Sequence, residues 1–457
     1  MTTLPDLETL TDEDSLAHYG RDWTRFWTPA PRAVVFPRST RDVVELVRWA
    51  RAEHGALVPS GGRTGLSGGA VAADGEVVVS FDKLRDLDEI EATEPSIRVD
   101  AGATIGEVQR AASEAGLAYP VDWAAAESSQ AGGSVATNAG GIRVLRHGMT
   151  RDWVRGLTVV TGAGEVLELN RGLVKNNAGL DLRHLMIGSE GTLGLITSVT
   201  FGLDDAPPQR SVMLLAFAGL EAVMPAFREL RSALDLSAFE FFDAASAECV
   251  AERGDRDFPL GDPSPFHAVV EFDDPGEARQ DDALAAFERL VEDGHVVDGL
   301  IGQSQAQAEE LWHWREAISE SIADRTPYKN DLSVRVSRVP AFLSDLAELV
   351  ERRYPEFRVV WFGHIGDGNL HMNVLRPDDW EVEDFHAACD RLSPEVFDIV
   401  VRHGGSLSAE HGIGLLKRDH LQRIAPAAEL ETMRRIKRAF DPDGVLNPGK
   451  LLARGAA

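Results

Sequence analysis

The spacing of apolar residues divides the first part of the chain into alternating helices and strands. Residues 39–55 begin at Ser-Thr, carry apolar side chains three and four positions apart and end at Gly, which predicts an amphipathic helix. Apolar runs at 56–60, 76–84 and 96–103 predict strands, and 104–120 predicts a second capped helix. This alternation indicates an α+β or α/β architecture in which helices cover sheets.

The same alternation continues after 204–210 (DDAPPQR), where two prolines favour a domain boundary. Residues 220–234 and 281–294 have helical spacing, and 267–272 reads as a strand. The stretch VVWFGHIGDGNLHMNVL at 359–375 predicts a strand, a glycine-rich turn and a second strand. The second half is therefore expected to form its own α+β domain.

Two glycine-rich blocks, PSGGRTGLSGG at 59–69 and AGGSVATNAGG at 131–141, mix Gly with Ser, Thr and Asn. Glycine permits a left-handed backbone and a close approach of ligand, and successive N–H groups in such turns form a concave site for anions. Two such loops indicate a large phosphorylated ligand, the alternative being a pair of tight turns. Neither block contains the lysine of a P-loop or the spacing of a Rossmann motif, which disfavours both classes.

Length and composition bound the class of protein. A chain of 457 residues with 44% hydrophobic residues can form two or three domains of a globular enzyme. It lacks an apolar run of about eighteen residues, and its N-terminus is acidic, so we expect no integral membrane segment and a cytoplasmic location. Only Cys249 and Cys389 are present, which excludes a cysteine-ligated iron–sulfur cluster and argues against a disulfide framework.

The formal net charge is −28, from 46 basic and 74 acidic residues. An acidic surface repels nucleic acid and anionic membranes, and salt screens its self-repulsion. We therefore expect no nucleic-acid partner and interpret the charge as typical of a halophilic protein from a salt-rich cytoplasm. The alternative is an ordinary acidic soluble protein.

Candidate chemistry in the second half comes from GHIGDGNLHMNV at 363–374 and SAEHGIG at 408–414. His371 and Asn373 share one face of the predicted second strand because side chains alternate, and a tight turn could bring His364 beside them. With Glu410 and His411, these residues could hold a divalent metal that leaves positions open for substrate. The spacing leaves a structural pair of histidines equally open, and H-E-x-x-H is absent.

The glycine blocks resemble the paired pyrophosphate loops of the vanillyl-alcohol-oxidase type of FAD-binding domain. Residues 138–167, GSEGTLGLIT at 188–197 and LNPGKLL at 446–452 are similar to that family in the same order. The resemblance implies an α+β fold, with a two-part FAD-binding domain and an α+β substrate or cap domain. It divides the chain into an FAD-binding domain, 1–206, a substrate- and metal-binding cap domain, 207–420, and a C-terminal segment, 421–457, that returns to the FAD domain.

FAD is expected to be bound non-covalently, because Arg63 stands where some members of this family carry a flavin-tethering His. The FAD contacts that the resemblance implies are Ser60, Gly61, Gly62, Arg63, Thr64, Gly65, Gly69, Gly132, Gly133, Ser134, Thr137, Asn138, Gly140, Gly141, Glu190, Gly191, Gly194, Ile196 and Asn447.

The segments around 363–374 and 408–414 resemble the C-terminal domain of FAD-linked D-2-hydroxyacid dehydrogenases. The resemblance implies His364, His371 and Glu410 as metal ligands, His411 as catalytic base and Asn373 as a substrate contact. Zinc or manganese is the expected ion, although a His/His/Glu set also suits iron. Such an ion would lower the pKa of the substrate hydroxyl, and His411 could take its proton.

Residues 312–337 resemble the carboxylate-binding stretch of the same family. Arg315 can bind a carboxylate with two hydrogen bonds, Ser319 is expected one turn later on the same helix face, and Lys329 adds a second cation. The pattern R-E-x-x-[ST] followed by Y-K-x-D is closest to the D-2-hydroxyglutarate branch, in which a second carboxylate explains the second cation. The alternative is that both cations are solvated surface charges.

These resemblances imply FAD- and divalent-metal-dependent oxidation of a small D-2-hydroxyacid to the 2-oxoacid, with hydride transfer to flavin N5 and D-2-hydroxyglutarate as the expected substrate. D-lactate or glycolate dehydrogenase and an alkyl-glycerone-phosphate-synthase-like flavoprotein remain alternatives. A zinc hydrolase would leave the glycine blocks unused, and a passive FAD-binding protein would leave the His/Glu set unused. Because the chain has no NAD or iron–sulfur motif, we expect a separate electron acceptor, either an electron-transfer protein or a quinone.

Overall fold

The computed structural model describes residues 4–24, 26–91, 93–254, 256–261, 264–274 and 276–454. The strands are β1 (Glu8–Leu10), β2 (Ala33–Phe36), β3 (Leu57–Ser60), β4 (Val77–Ser80), β5 (Ser96–Asp100), β6 (Leu117–Ala118), β7 (Val154–Thr161), β8 (Val166–Leu169), β9 (Gly194–Gly202), β10 (Asp204–Asp205), β11 (Arg210–Phe217), β12 (Leu236–Asp243), β13 (Phe266–Asp273), β14 (Asp298–Ile301), β15 (Tyr328–Ser333), β16 (Val359–Gly363) and β17 (Asn369–Val374).

The helices are α1 (Glu13–Tyr19), α2 (Thr40–Glu53), α3 (Ile105–Glu114), α4 (Ala131–Thr137), α5 (Val144–His147), α6 (Thr150–Trp153), α7 (Arg183–Met186), α8 (Val223–Ala233), α9 (Ala244–Ala251), α10 (Glu277–Glu292), α11 (Gln305–Glu316), α12 (Ile318–Ser321), α13 (Val339–Arg353), α14 (Val382–Arg402), α15 (Arg418–Ile424) and α16 (Ala427–Phe440). Short 3-10 turns lie at Leu220–Ala222, Ala323–Arg325 and Val336–Arg338.

The chain divides into two compact units. The first comprises Met1–Gly141, Gly148–Ala206 and Glu410–Ala457, and the second comprises Ile142–His147 and Pro207–Ala409. The division after Ala206 coincides with the predicted boundary. The chain re-enters the first unit at Glu410 rather than at residue 421, because the backbone of 413 and 414 is bound to Glu190 of that unit. The short segment 142–147, predicted as part of the FAD domain, belongs to the second unit.

The first unit contains two four-stranded sheets. In the order β1-β2-β4-β3, the last three strands are parallel, whereas β5-β9-β7-β8 is antiparallel throughout. Local signals start both predicted helices: the Ser39 side chain caps α2, and Thr104 forms a capping box with Glu107 in α3. The helix predicted to run to residue 120 ends earlier, because Gly116 adopts a φ of 75° and β6 follows.

The second unit is built on one seven-stranded antiparallel sheet in the order β14-β11-β13-β12-β16-β17-β15. Alternation along β12 directs Phe242 to one face and Phe239 to the other. On the first face, Phe242 shares a core with Trp312 and Trp314 of α11. On the opposite face, Phe239 packs edge-on against Phe227 of α8, with ring centroids 5.1 Å apart. Helix α11 therefore covers β11, β12 and β13 on the first face.

The predicted hairpin at 359–375 is confirmed as β16 and β17. Within the described ranges, no helix combines the length and apolar character needed to cross a membrane. Cys249 and Cys389 are both buried and free.

Candidate active site

The first glycine block follows β3 in the first unit. A Cβ at Gly62 would lie 1.9 Å from the Ser128 carbonyl oxygen, so this position accepts only Gly. Arg63 adopts a left-handed φ of 60°, and its guanidinium donates to the Gly61 carbonyl at 2.9 Å and lies over the Tyr19 ring. Asp82 lies 3.7 Å from the same guanidinium. Neighbouring protein groups thus orient the Arg63 side chain.

The second glycine block is helical rather than a turn, because α4 spans Ala131–Thr137. This corrects the prediction of a second glycine loop. The helix lies so close to β5 that a Cβ at Gly132 would meet Ala101 at 2.7 Å, whereas a Cβ at Gly133 would meet no described atom within 4 Å. The hydroxyls of Ser134 and Thr137 donate to backbone carbonyls of the block itself, so their protons are used within the helix.

Glu190 joins three of the predicted flavin segments. Its carboxylate accepts the N–H groups of Ile413 and Gly414, each at 2.7 Å. Its own carbonyl accepts the amide of Asn447 at 2.7 Å, and the same amide donates to the carbonyl of Gly69 at 2.9 Å. Burial raises the pKa of the Glu190 carboxyl, against the lowering effect of the two N–H donors. Glu190 is a predicted FAD contact, and its carboxylate binds the turn that follows His411.

Arg151 fixes the second block against the third. Its backbone N–H donates to the Asn138 side chain at 3.0 Å, and its guanidinium donates to the carbonyls of His184 and Ile187 at 3.0 and 2.8 Å. Asp152 does not pair with it but accepts the N–H of Met149 at 2.9 Å. Arg151 therefore braces the segment before Glu190.

The first unit contains features that fit a bound flavin nucleotide. Two buried acceptors beside the predicted loops, Gln130 Oε1 and Asn447 Oδ1, have no hydrogen-bond partner within the described part of the chain. Gln130 borders Gly61, and Gly133 faces open space. In contrast, Gly194 and Ile196 are covered by β7, since a Cβ at Gly194 would lie 2.3 Å from Val159 and Ile196 pairs with Val159. All predicted FAD positions lie in this unit.

In the second unit, the sheet register collects the predicted polar residues on one face. His371 of β17 lies opposite Phe362 of β16 and Asp331 of β15. Asn373 lies opposite Lys329 in the same ladder. Side chains directly opposite each other point to one face, so Lys329, Asp331, His371 and Asn373 form one polar surface. His364 follows β16, and its ring centroid lies 5.5 Å from that of His371.

Glu240 connects two predicted site residues. This β12 residue is 1% exposed, and its Oε1 lies 2.9 Å from Nδ1 of His364. Its Oε2 lies 2.9 Å from Nη2 of Arg315. The Arg315 guanidinium is buried over the ring of Phe362, 4.9 Å from its centroid. Arg315 is therefore not a solvated surface charge.

The remaining two substrate residues have different settings. Ser319 was expected on the face of Arg315, but α11 ends at Glu316, and Ser319 is exposed in the next short helix. The Lys329 side chain is accessible, yet protein surrounds it closely enough that desolvation lowers the pKa of its ammonium group. An accessible lysine in such surroundings is suited to binding an anion from solution.

Asp331 is a site residue that the sequence reasoning missed. Its carboxylate accepts the side-chain amide of Asn369, the hydroxyl of Ser408 and the N–H of Ala409, at 3.0, 3.2 and 3.0 Å. The alternation that pairs His371 with Asn373 could have identified it, since Asp331 lies two residues after Lys329. Glu240 had no such signal, because nothing in its own segment marks a binding residue.

The chain leaves the second unit at Ala409, next to Asp331, and continues directly into Glu410 and His411. In the second unit, Oδ1 of Asp331 lies 3.9 Å from Nδ1 of His371, and in the first unit, Oε1 of Glu410 lies 3.8 Å from Nε2 of His411. Imidazole and carboxylate donors fit zinc, manganese or iron. These two pairs contain two predicted ligands, His371 and Glu410, and the predicted base, His411, together with Asp331. His364, the third predicted ligand, is adjacent to His371 and bound to Glu240.

Comparison with known proteins defines the class. Residues 31–170 match the FAD binding domain family, and residues 206–451 match the C-terminal domain of FAD linked oxidases. The structure superposes on p-cresol methylhydroxylase with a TM-score of 0.74 at 14% identity, covering 97% of this chain and 94% of that one. An alkyldihydroxyacetonephosphate synthase gives a TM-score of 0.71 at 17% identity over 98% and 82%. These likenesses confirm the vanillyl-alcohol-oxidase type of FAD-binding fold and the α+β class.

The curated relatives are closer. The chain is 49% identical to a D-2-hydroxyglutarate dehydrogenase of Stutzerimonas stutzeri, over 97% of this chain and 96% of the relative. It is 52% identical to one of Xanthomonas citri pv. viticola, over 98% and 95%, and 36% identical to the mitochondrial enzyme of Bos taurus, over 97% and 81%. The chain belongs to the FAD-linked D-2-hydroxyacid dehydrogenases, as the motifs predicted, and it is an FAD-dependent oxidoreductase acting on a small hydroxyacid.

Proposed function

We propose that this protein oxidises D-2-hydroxyglutarate to 2-oxoglutarate. The observation that carries the proposal is the identity of 49% and 52%, over nearly the full length of each chain, with two bacterial D-2-hydroxyglutarate dehydrogenases. The cations support a dicarboxylate, because Arg315 and Lys329 both belong to the unit that presents His371 and Asn373.

Arg315, Ser319, Lys329 and Asn373 bind the substrate in this proposal. Arg315 uses one Nη for Glu240 and has further donors, since its buried Nε has no hydrogen-bond partner among the residues described. The buried Nδ2 of Asn373 is likewise an unused donor within the described ranges. Buried donors without partners are costly, and a ligand that accepts from them removes that cost. Two carboxylates would occupy Arg315 and Lys329.

His371, Glu410 and His364 hold the metal, and Asp331 is added to this set. A divalent ion, when bound, lowers the pKa of the substrate hydroxyl. We assign His411 to the removal of the hydroxyl proton, which its imidazole nitrogen accepts. The Glu190 carboxylate holds the backbone after His411 through Ile413 and Gly414, so the base is carried on a fixed turn. Zinc or manganese suits these donors.

FAD is held non-covalently by the first unit. When bound, its N5 accepts the hydride from C2 of the substrate. Arg63 cannot form the covalent bond that a histidine forms, and its guanidinium is bound to Gly61, Asp82 and Tyr19. We further propose that residues 1–206 with the C-terminal segment form the flavin domain and that 207–420 bind substrate and metal. The electrons pass to a separate protein acceptor or quinone, and two free, buried cysteines support a cytoplasmic location.

The test is anaerobic reduction of the bound flavin, followed by absorbance, in the presence of zinc or manganese. The panel contains D-2-hydroxyglutarate, D-lactate, glycolate and the corresponding L-acids. Bleaching by D-2-hydroxyglutarate at a higher second-order rate than by any other acid is the expected result. Preference for D-lactate would refute the dicarboxylate assignment, and the absence of bleaching by every acid would refute the reaction.

A further inference from the structure

Glu240 has an unusual setting for a carboxylate. It lies in the middle of β12 with 1% of its surface exposed, between Phe239 and Phe241 in sequence. Burial of an ionised carboxylate is strongly unfavourable unless hydrogen bonds and an opposite charge compensate for it. Both compensating groups here, His364 and Arg315, are residues to which the proposed function gives a role.

The bond to His364 selects one form of the imidazole. An ionised carboxylate only accepts hydrogen bonds, so the 2.9 Å contact from Oε1 places the proton of His364 on Nδ1. In the neutral ring, Nε2 then carries the lone pair, which is the form in which an imidazole nitrogen binds a metal ion. Histidines that bind metals commonly donate their other N–H to a carboxylate in this way.

The contact with Arg315 selects one orientation of the guanidinium. Nη2 lies 2.9 Å from Oε2 as an ion pair rather than a hydrogen bond, since Oε2 has no hydrogen-bond partner of good geometry among the described residues, and the guanidinium lies over the ring of Phe362. Glu240 contacts the guanidinium at Nη2, and Phe362 contacts its plane. These two contacts restrict its rotation, so the remaining N–H donors point in a defined direction. A planar fork in a fixed orientation is the arrangement that binds a carboxylate with two hydrogen bonds.

We propose that Glu240 is a positioning residue that couples the two binding functions of the site. One oxygen holds His364 in the tautomer that can bind the metal, and the other holds Arg315 in the orientation that can bind a substrate carboxylate. The inference rests on the proposed function, because it assumes that His364 and Arg315 have those roles. The inference adds that the metal site and the carboxylate site both depend on the buried Glu240 carboxylate. Its replacement should therefore weaken both sites.

Glu240→Gln is the informative variant, because an amide has no charge with which to hold the Arg315 guanidinium and has a single oxygen that can face only one of the two neighbours. If its oxygen faces Arg315, its NH₂ faces His364 and requires the proton on Nε2, which blocks metal binding. If its oxygen faces His364, its NH₂ opposes Nη2 of Arg315. We expect zinc affinity to fall about 10–100-fold and the affinity for 2-oxoglutarate to fall as well.

The measurements use the FAD-loaded protein without turnover. Zinc affinity is obtained by competition with a chelator, and 2-oxoglutarate affinity from the perturbation of flavin absorbance. Glu271→Gln is the matched control, since Glu271 is a buried carboxylate on the neighbouring strand and is paired with Arg143. FAD content and melting temperature are recorded for both variants.

Wild-type affinities for zinc and 2-oxoglutarate in Glu240→Gln would overturn the inference, and so would equal losses in Glu271→Gln. A second measurement reads the His364 tautomer in the wild type and does not depend on the folding of Glu240→Gln. Nitrogen-15 chemical shifts of labelled histidine in the chelator-treated wild type report the tautomer, with the His364 signal identified by its absence in His364→Asn. A proton on Nε2 of His364 would contradict the inference.

These outcomes are separable from a failure of the proposed function. A wild type that binds zinc and 2-oxoglutarate but is reduced by no hydroxyacid refutes the reaction and leaves the coupling measurable. A wild type that binds no divalent ion overturns the coupling, together with the metal part of the proposed function.

Discussion

The Glu190 carboxylate accepts the backbone N–H of Gly414 at 2.7 Å, together with that of Ile413. Both partners lie three or four residues after Glu410, so a residue of the third flavin segment fixes the turn that carries the proposed ligand and base. Removal of the carboxylate leaves two backbone donors unpaired, and each such donor costs about 1–3 kcal/mol when buried.

Glu190→Ala is therefore expected to lower both the melting temperature and the rate of flavin reduction, while Glu190→Gln, which keeps one acceptor, should be intermediate. Differential scanning fluorimetry and stopped-flow absorbance measure the two quantities. The exposed Glu168→Gln on β8 is the control and should resemble the wild type. A wild-type reduction rate in Glu190→Ala would show that the turn does not depend on this carboxylate.

Replacement of the proposed base should affect chemistry more than binding. His411→Asn is expected to slow flavin reduction at least about 100-fold and to change the dependence of that rate on pH, because the group that accepts the hydroxyl proton is removed. Stopped-flow reduction across a pH series tests this, with FAD content as the measure of integrity. His295→Asn, on the loop after α10, serves as the control. An unchanged pH profile in His411→Asn would assign the proton transfer to another group.

Removal of the metal should abolish reduction of the flavin by the substrate without affecting the binding of FAD. The predicted FAD residues lie in the first unit and do not include His364, His371 or Glu410. Chelator treatment is therefore expected to leave the flavin spectrum intact and to abolish reduction by D-2-hydroxyglutarate. Zinc or manganese should restore reduction, whereas magnesium, which prefers oxygen ligands, should not. Loss of FAD on chelation would contradict this division of roles.

The surroundings of Lys329 predict how the KM depends on pH for a substrate with two carboxylates and for a substrate with one. Desolvation lowers the pKa of its ammonium group, so it loses its charge at a lower pH than an ordinary lysine. The KM for D-2-hydroxyglutarate should consequently rise as the pH rises towards the alkaline range, and the KM for D-lactate should rise less. Lys329→Met should raise the KM for the dicarboxylate and remove the pH difference between the substrates. Equal effects on both acids would place Lys329 away from the second carboxylate.

The burial of Asp243 predicts how the free energy of unfolding depends on pH. It caps α9 by accepting the N–H and hydroxyl of Ser246, and burial raises the pKa of its carboxyl to about 6 from 3.8. Between these values the folded protein binds more protons than the unfolded chain, so the free energy of unfolding falls as the pH rises. This group accounts for a decrease of up to about 3 kcal/mol.

Asp243→Asn keeps a capping side chain and should remove that decrease. The expected result is a higher melting temperature than the wild type at pH 7.5 and a smaller difference at pH 4. Thermal unfolding of both proteins at pH 7.5 and at pH 4 gives the comparison. A variant that is less stable than the wild type at pH 7.5 would mean that the ionised form is favoured in the folded protein.

Local sequence signals predicted most of the elements and part of the site. Ser39 and the Thr104–Glu107 pair start their helices through contacts within four residues, and such contacts can be identified from the sequence. The hairpin placed His371 and Asn373 on one face for the same reason. Glu240 could not be found in this way, because its partner His364 is 124 residues away and only the order of the strands brings them together.

The prediction of a loop at the second glycine block was wrong for a different reason. Its glycines permit a turn, and nothing local excludes one. Helix α4 forms instead because the backbone packs closely against Ala101, with Gly132 supplying the space. The contact with Ala101, which is distant in sequence, thus determines the conformation of a glycine-rich segment that could also form a turn.

The six residues 142–147 limit how the second unit can be exchanged between related enzymes. Arg143 makes two hydrogen bonds to the buried Glu271, and Arg146 pairs with Asp273, although both arginines precede the rest of their unit by more than sixty residues. A recombinant fragment or a chimera exchanged at 207–409 would remove both Arg143 hydrogen bonds from the buried Glu271 and leave it with Arg210, 3.6 Å away, and the donors of Ser237 and Trp312. Exchange of substrate specificity between relatives therefore requires the transfer of two segments, 142–147 and 207–409, together.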